Sequence, residues 1–138
     1  MMRNSKKIIP GLTLLMWVLM STGCDIQTSQ EPGILEGKIL IGPICPVETD
    51  PPDPGCLPRA ETYRAYPVGV WTADGGKRLL QINPALDGSY KNYLEPGRYL
   101  IKLENDRRSF GSSNLPVEVS IVSNNITMLN IDIDTGIR

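Results

Sequence analysis

A chain of 138 residues supplies one domain and leaves little room for a second. A net charge of −1 excludes the basic footprint of a nucleic-acid binder. The absence of histidine removes the usual base of Ser-His-Asp and Cys-His catalysis.

Arg3, Lys6 and Lys7 precede an apolar run from Ile8 to Met20, the layout of an export signal. The run is about 13 residues, short of the roughly 20 a membrane-crossing helix needs, which predicts a cleaved signal and no permanent span. Met20-Ser21-Thr22-Gly23-Cys24 places small residues directly before a cysteine and resembles a bacterial lipoprotein lipobox, with Ser21 where leucine is more usual. The resemblance implies a signal peptide over residues 1–23 and an acylated Cys24 as the new N-terminus. The expected location is therefore the extracytoplasmic side of a cell membrane, lipid-anchored, periplasmic or at the outer surface. One acyl chain holds a protein marginally, at about 0.8 kcal/mol per buried methylene, whereas two or three anchor it stably. Asp25, directly after the cysteine, resembles the inner-membrane retention signal of many enterobacteria. Cleavage removes three of the 14 basic residues and none of the 15 acids, leaving a net charge of −4. That surface favours neither nucleic acid nor anionic lipid. The membrane is then a partner through the acyl chains alone. With Cys24 lipidated, Cys45 and Cys56 are an even pair outside the cytoplasm and are predicted to form a disulfide. A two-cysteine metal site lacks further ligands, so neither metal nor cofactor is expected.

Residues 24–32 read as lipidated cysteine and linker, with Asp25 to Pro32 spanning at most about 25–29 Å. The domain is expected over residues 33–138, where period-two alternation is punctuated by Gly, Pro, Asn and Asp. Ile34 to Ile41 is a first strand, with Leu35, Ile39 and Ile41 inward, Glu36 and Lys38 outward, and Gly37 inward where a neighbouring backbone can approach. Gly42 to Ala60 carries six prolines around the cysteine pair and predicts a stiff, disulfide-closed flap. Thr62 to Thr72 is a second strand, an edge or broken at Pro67, and Lys77 to Ile82 is a third across Asp74-Gly75-Gly76. Ser89 to Leu94 and Arg98 to Glu104 follow the turns Asp87-Gly88 and Pro96-Gly97. Asn105 to Leu115 is a long loop with Arg107, Arg108 and Phe110. Pro116 to Val122 and Ile126 to Asp134 form a last hairpin across Asn124-Asn125. These seven strands predict an all-β, antiparallel sandwich with no long helix.

Leu86-Asp87-Gly88-Ser89-Tyr90 through Leu94-Glu95-Pro96-Gly97-Arg98-Tyr99 resembles the core pattern of carboxypeptidase regulatory-like domains. The opening Gly33-x-x-x-Gly37 fits the start of such a domain. Those are prealbumin-like, Greek-key sandwiches related in shape to transthyretin-type and Cna-B-type modules. In that pattern Tyr90 and Leu94 enter the core and Tyr99 re-enters it beside them. The long first loop GPICPVETDPPDPGC departs from the family's short connection. With Asp134-Thr135-Gly136-Ile137-Arg138 it resembles a subgroup of exported bacterial proteins marked by GPxCPV and DTGIR. The resemblance implies a fold and an accessory, adhesive or carbohydrate-facing role, and no reaction.

No catalytic residue is assigned, because no Ser-x-x-Lys follows the signal and the acids read as solvated. Asp132 and Asp134 share a strand face and support at most a carboxylate hydrolase or calcium binding. Glu48, Asp50 and Asp53 in the disulfide loop are alternative calcium ligands. Lys38 with Asn130 is the one conceivable isopeptide pair, and Lys38 falls on the polar face. Asn125-Ile126-Thr127 matches the glycosylation sequon but reads as a turn. Exposed aromatics are the remaining signal: Tyr63, Tyr66, Trp71, Tyr93 and Phe110 are candidate contacts, together with Arg107 and Arg108 of the long loop, while Trp71 reads more readily as a core or strand-end residue. The expected function is a non-enzymatic, lipid-anchored envelope accessory or protein-interaction module whose ligand the sequence does not name, with an envelope protein or a glycan as the candidate partner. A carbohydrate-binding module using Trp71 is the alternative.

Overall fold

The computed structural model describes residues 30–47, 49–104, 111–112 and 114–137. Cys24, Glu48, Arg107, Arg108 and Phe110 lie outside the described residues. In chain order the elements are β1 (Gly33–Gly42), a 3₁₀ turn (Pro54–Cys56), α1 (Ala60–Ala65), β2 (Val68–Thr72), β3 (Arg78–Ile82), β4 (Ser89–Leu94), β5 (Gly97–Leu103), β6 (Gly111–Ser112), β7 (Val117–Ile121), β8 (Ile126–Met128) and β9 (Ile131–Asp134). Among the described residues these are eight strands of three residues or more and the two-residue β6, not seven. No described helix is long and apolar enough to cross a membrane.

Two sheets face each other. One runs β4-β1-β9-β6 with β8 also paired to β1, and the other runs β3-β2-β5-β7. Alternation puts Leu35, Ile39 and Ile41 of β1, Val68 and Val70 of β2, and Ile131 and Ile133 of β9 inside, where all are nearly inaccessible to water. Each such side chain contributes roughly 1.5–3 kcal/mol on burial. Tyr90 and Leu94 are buried beside them, and Tyr99 packs half-buried against the same cluster. Tyr99 also ties its own turn, because its hydroxyl donates to the Glu95 carbonyl at 2.7 Å.

β1 organises the five-stranded sheet. β4 runs antiparallel along one edge, from Gly33 opposite Leu94 to Lys38 opposite Ser89. β8 and then β9 run parallel along the other, with Ile34 opposite Ile126 and Ile39 opposite Ile131. The purely antiparallel expectation is corrected at this ladder. The expected last hairpin is corrected too, since β7 pairs with β5 in the four-stranded sheet while β8 and β9 join β1. Asn124 holds the positive φ of 56° that the connection needs, and the chain there crosses between sheets. The kink between β8 and β9 seats on Gly37. A Cβ at Gly37 would collide with the Leu129 carbonyl group. That carbonyl accepts a hydrogen bond from the Tyr90 hydroxyl at 2.6 Å, so the tyrosine of the Asp-Gly-x-Tyr pattern reaches over the glycine opposite it.

The expected strand Thr62 to Thr72 is the other correction. Its first part is α1, because the Thr62 hydroxyl accepts from the Arg59 amide at 3.0 Å and starts a helical turn. Pro67 then separates this helix from β2, consistent with the break expected there. Six residues are too few to show a 3.6-residue rhythm.

Candidate functional site

The flap between β1 and α1 is closed by the Cys45–Cys56 disulfide, with Cα atoms 5.5 Å apart. Asp53 accepts from the Gly55 amide at 2.7 Å and starts the 3₁₀ turn that brings Cys56 round. Leu57 and Pro58 follow and lead into α1, which buries Tyr63 against the core. The Tyr63 hydroxyl donates to the Leu86 carbonyl at 3.4 Å. On the far side the Asp87 carboxylate accepts from the Ser89 amide at 3.0 Å and the Ser89 hydroxyl at 2.6 Å, which fixes the Asp87-Gly88 turn. Flap, helix, turn and the C-terminal half of β1 thus surround one cleft.

Its volume is about 620 Å³, and its walls are Lys38 to Gly42, Leu57, Pro58, Tyr63, Leu86 and Asp87. Leu40, Leu57 and Leu86 are 51%, 49% and 69% exposed, which is unusual for three leucines converging on one hollow. Hydrogen bonds from Ser89 hold the Asp87 carboxyl below its ordinary range, with Lys38 adding to the effect. Burial, and then the Asp87 charge, pushes the Tyr63 phenol up. At neutral pH the cleft therefore carries an anionic rim residue and a neutral phenol. A second hollow of about 640 Å³ lies along the outer face of β1 and β4 and shares Lys38. Its Lys91 and Glu36 pair with each other at 3.2 Å, so it offers less unsatisfied surface.

The structure scatters the other candidate residues. Trp71 lies on the outer side of β2, half-buried, with the Lys102 ammonium 3.7 Å above its ring. Its indole N–H is buried without a hydrogen-bond partner among the described residues. One ring face is therefore taken by lysine, and Tyr63 stands elsewhere, in the cleft. Tyr66 packs against the core, and Tyr93 is 63% exposed on the outer face of β4. Asp132 is exposed, and the Asp134 carboxylate accepts from the Gly136 amide at 2.8 Å. Among the described residues no group of three potential ligands gathers for a metal. The Asn130 carboxamide accepts the Lys38 backbone amide at 3.0 Å and so extends the ladder.

Leu40, Leu57 and Leu86 were not singled out by the sequence. Leu40 was readable, because inward Leu35, Ile39 and Ile41 leave it outward. Nothing local places Leu57 and Leu86 beside it, since their meeting depends on the disulfide and the turn.

No family model matches the chain, and no match to a curated protein was found. Among solved structures it is similar to a DUF3823 family protein from Parabacteroides merdae, at 12% identity and a TM-score of 0.46, over 77% of this chain and 47% of that one. A DUF3823 family protein from Bacteroides ovatus gives 18% identity and 0.43, over 72% and 44%. BcpA, the major pilin subunit of Bacillus cereus, gives 13% and 0.41, over 76% and 30%. The chain thus spans less than half the length of these proteins, and likenesses this slight carry no functional argument.

Proposed function

We propose that this chain is a non-catalytic, lipid-anchored module of a bacterial envelope, of the carboxypeptidase regulatory-like kind, that holds a protein partner in the cleft beneath its disulfide-closed flap. The observation that carries the reading is the convergence of exposed Leu40, Leu57 and Leu86 in a concave site of about 620 Å³. Concave, mainly apolar sites with a few polar groups are where ligands bind. The disulfide agrees with an oxidising compartment, and the Cys24 context supplies the anchor. The polar side chains lining the cleft are Lys38, Tyr63 and Asp87, and a lining dominated by apolar groups with these few polar ones favours binding as its chemistry.

A photoreactive benzoylphenylalanine at position 86 of the membrane-resident protein tests this. A discrete protein adduct, lost when Leu57→Asp is added, is expected. Absence of any adduct while Cys24 carries acyl chains by mass spectrometry refutes the partner site, and an unmodified Cys24 refutes the anchor.

A further inference from the structure

We infer that the cleft receives an extended peptide backbone, which adds as a short strand along the open half-edge of β1. The inference rests on the proposed reading of the cleft as a partner site and specifies the partner's chemistry.

β1 is ten residues long, but β4 pairs only with Gly33 to Lys38. One further bond runs from the Ile39 amide to the Gly88 carbonyl at 2.8 Å, and the Asp87-Gly88 turn then takes the chain away. On the opposite edge the Lys38 amide donates to Asn130 and the Gly42 carbonyl accepts from the Thr135 amide at 3.2 Å. Residues 38, 40 and 42 therefore turn their backbone groups toward β9, and Ile39 and Ile41 turn theirs the other way. By that alternation the N–H and C=O of Ile41, which lines the cleft, face away from β9, and no described residue hydrogen-bonds them. A donor and an acceptor at strand spacing are answered together by another extended backbone. A fatty chain offers neither group and leaves both unmet. Leu40, Leu57 and Leu86 flank this edge and supply apolar seats for alternate side chains of the incoming strand. Lys38 and Asp87 stand together at the rim with opposite charges, so the site selects for an apolar centre and not for net charge.

Capped pentapeptides Ser-Val-Xaa-Val-Ser, with Xaa as Leu, Phe or Asp, are the probes, titrated into the isotope-labelled full chain in detergent and followed by amide chemical shifts. Leu- and Phe-centred peptides are expected to move the Ile41, Leu57 and Leu86 signals and to bind at least tenfold tighter than the Asp-centred one. N-methylation at one of the two alternating sets of peptide amides costs at least tenfold, and methylation of the other set costs little. Equal binding of every methylated peptide overturns the inference, as does an unmoved Ile41 amide or a shift map centred on the free edge of β3. Concentration-dependent movement of Ile41 without peptide overturns it in favour of a second copy. An adduct at position 86 without peptide binding overturns the extended-backbone inference and leaves the partner site. Peptide binding through Ile41 without an adduct supports the inference and removes the proposed cellular role.

Discussion

Gly37→Ala is expected to be among the most damaging single-methyl changes in this fold. The new Cβ would fall on the Leu129 carbonyl, with the Leu129 carbonyl carbon 2.6 Å away and the Asn130 nitrogen at 3.3 Å. These are backbone atoms, so no side-chain rotation relieves the clash. The kink must lift, and three hydrogen bonds hold it down. They run from the Leu129 amide to the Glu36 carbonyl at 2.9 Å, from the Tyr90 hydroxyl to the Leu129 carbonyl at 2.6 Å, and from the Lys38 amide to Asn130 at 3.0 Å. At about 1 kcal/mol net each, their loss costs about 3 kcal/mol. Alanine returns about 0.5–1 kcal/mol through lower backbone entropy in the unfolded chain, leaving about 2–2.5 kcal/mol of destabilisation. For a domain of this size that lowers Tm by roughly 8–20 °C at 4–8 °C per kcal/mol. Thermal melting followed by far-ultraviolet circular dichroism measures it. Gly42→Ala, in the same strand with nothing within 4 Å of its added Cβ, is the control and should change little. A Gly37→Ala protein that melts at or above the parent temperature refutes the packing argument.

Tyr90→Phe removes the hydroxyl that answers the Leu129 carbonyl and should cost about 1–2 kcal/mol, read as a lower urea midpoint at unchanged slope. Burial raises the Tyr90 phenol from 10.0 to about 12. The neutral form is the one the fold favours, so its stabilisation is complete below pH 10 and is lost as pH rises toward 12. Tyr90→Phe should flatten that alkaline decline in melting curves, and an unchanged decline counts against the assignment. Cys45→Ser with Cys56→Ser opens a loop of about 12 residues and should cost roughly 3 kcal/mol on the chain-entropy estimate. The same variant should loosen Leu57, seen as faster amide exchange confined to the flap and α1; uniform exchange across both sheets would contradict the local role. Lys102→Met removes the cation above the Trp71 ring and the hydrogen bond from Lys102 to the Gly75 carbonyl, and should shift the Trp71 emission while costing about 1–2 kcal/mol in a urea melt.

The sandwich was legible in the sequence because its strands alternate cleanly. Leu35, Ile39 and Ile41 in β1, and Ile131 and Ile133 in β9, identify inner faces without knowledge of their partners. Gly37 was legible for the same reason, as an inward position lacking the side chain its neighbours possess. Partnership was not legible. Val117 to Ile121 and Ile126 to Asp134 satisfy a hairpin pattern, yet alternation states which face is dry and not which strand lies alongside. α1 was hidden because fewer than two turns cannot display a helical rhythm, although Pro67 marked its end. The cleft is not legible because it is assembled from three distant segments, of which the cysteine pair ties only one.

The parallel ladder between β1 and β9 joins residues 92 positions apart, as Ile39 opposite Ile131 shows. A polypeptide made or delivered N-terminus first must therefore hold β1 unsatisfied on that edge until the residues of β9 have emerged. Long-range pairings of this kind slow folding, and an uncovered strand edge invites foreign strands in the interval. The β1–β9 seam in the middle of the larger sheet therefore closes only after β9 has emerged, and that edge of β1 is most exposed to misassembly just before it does.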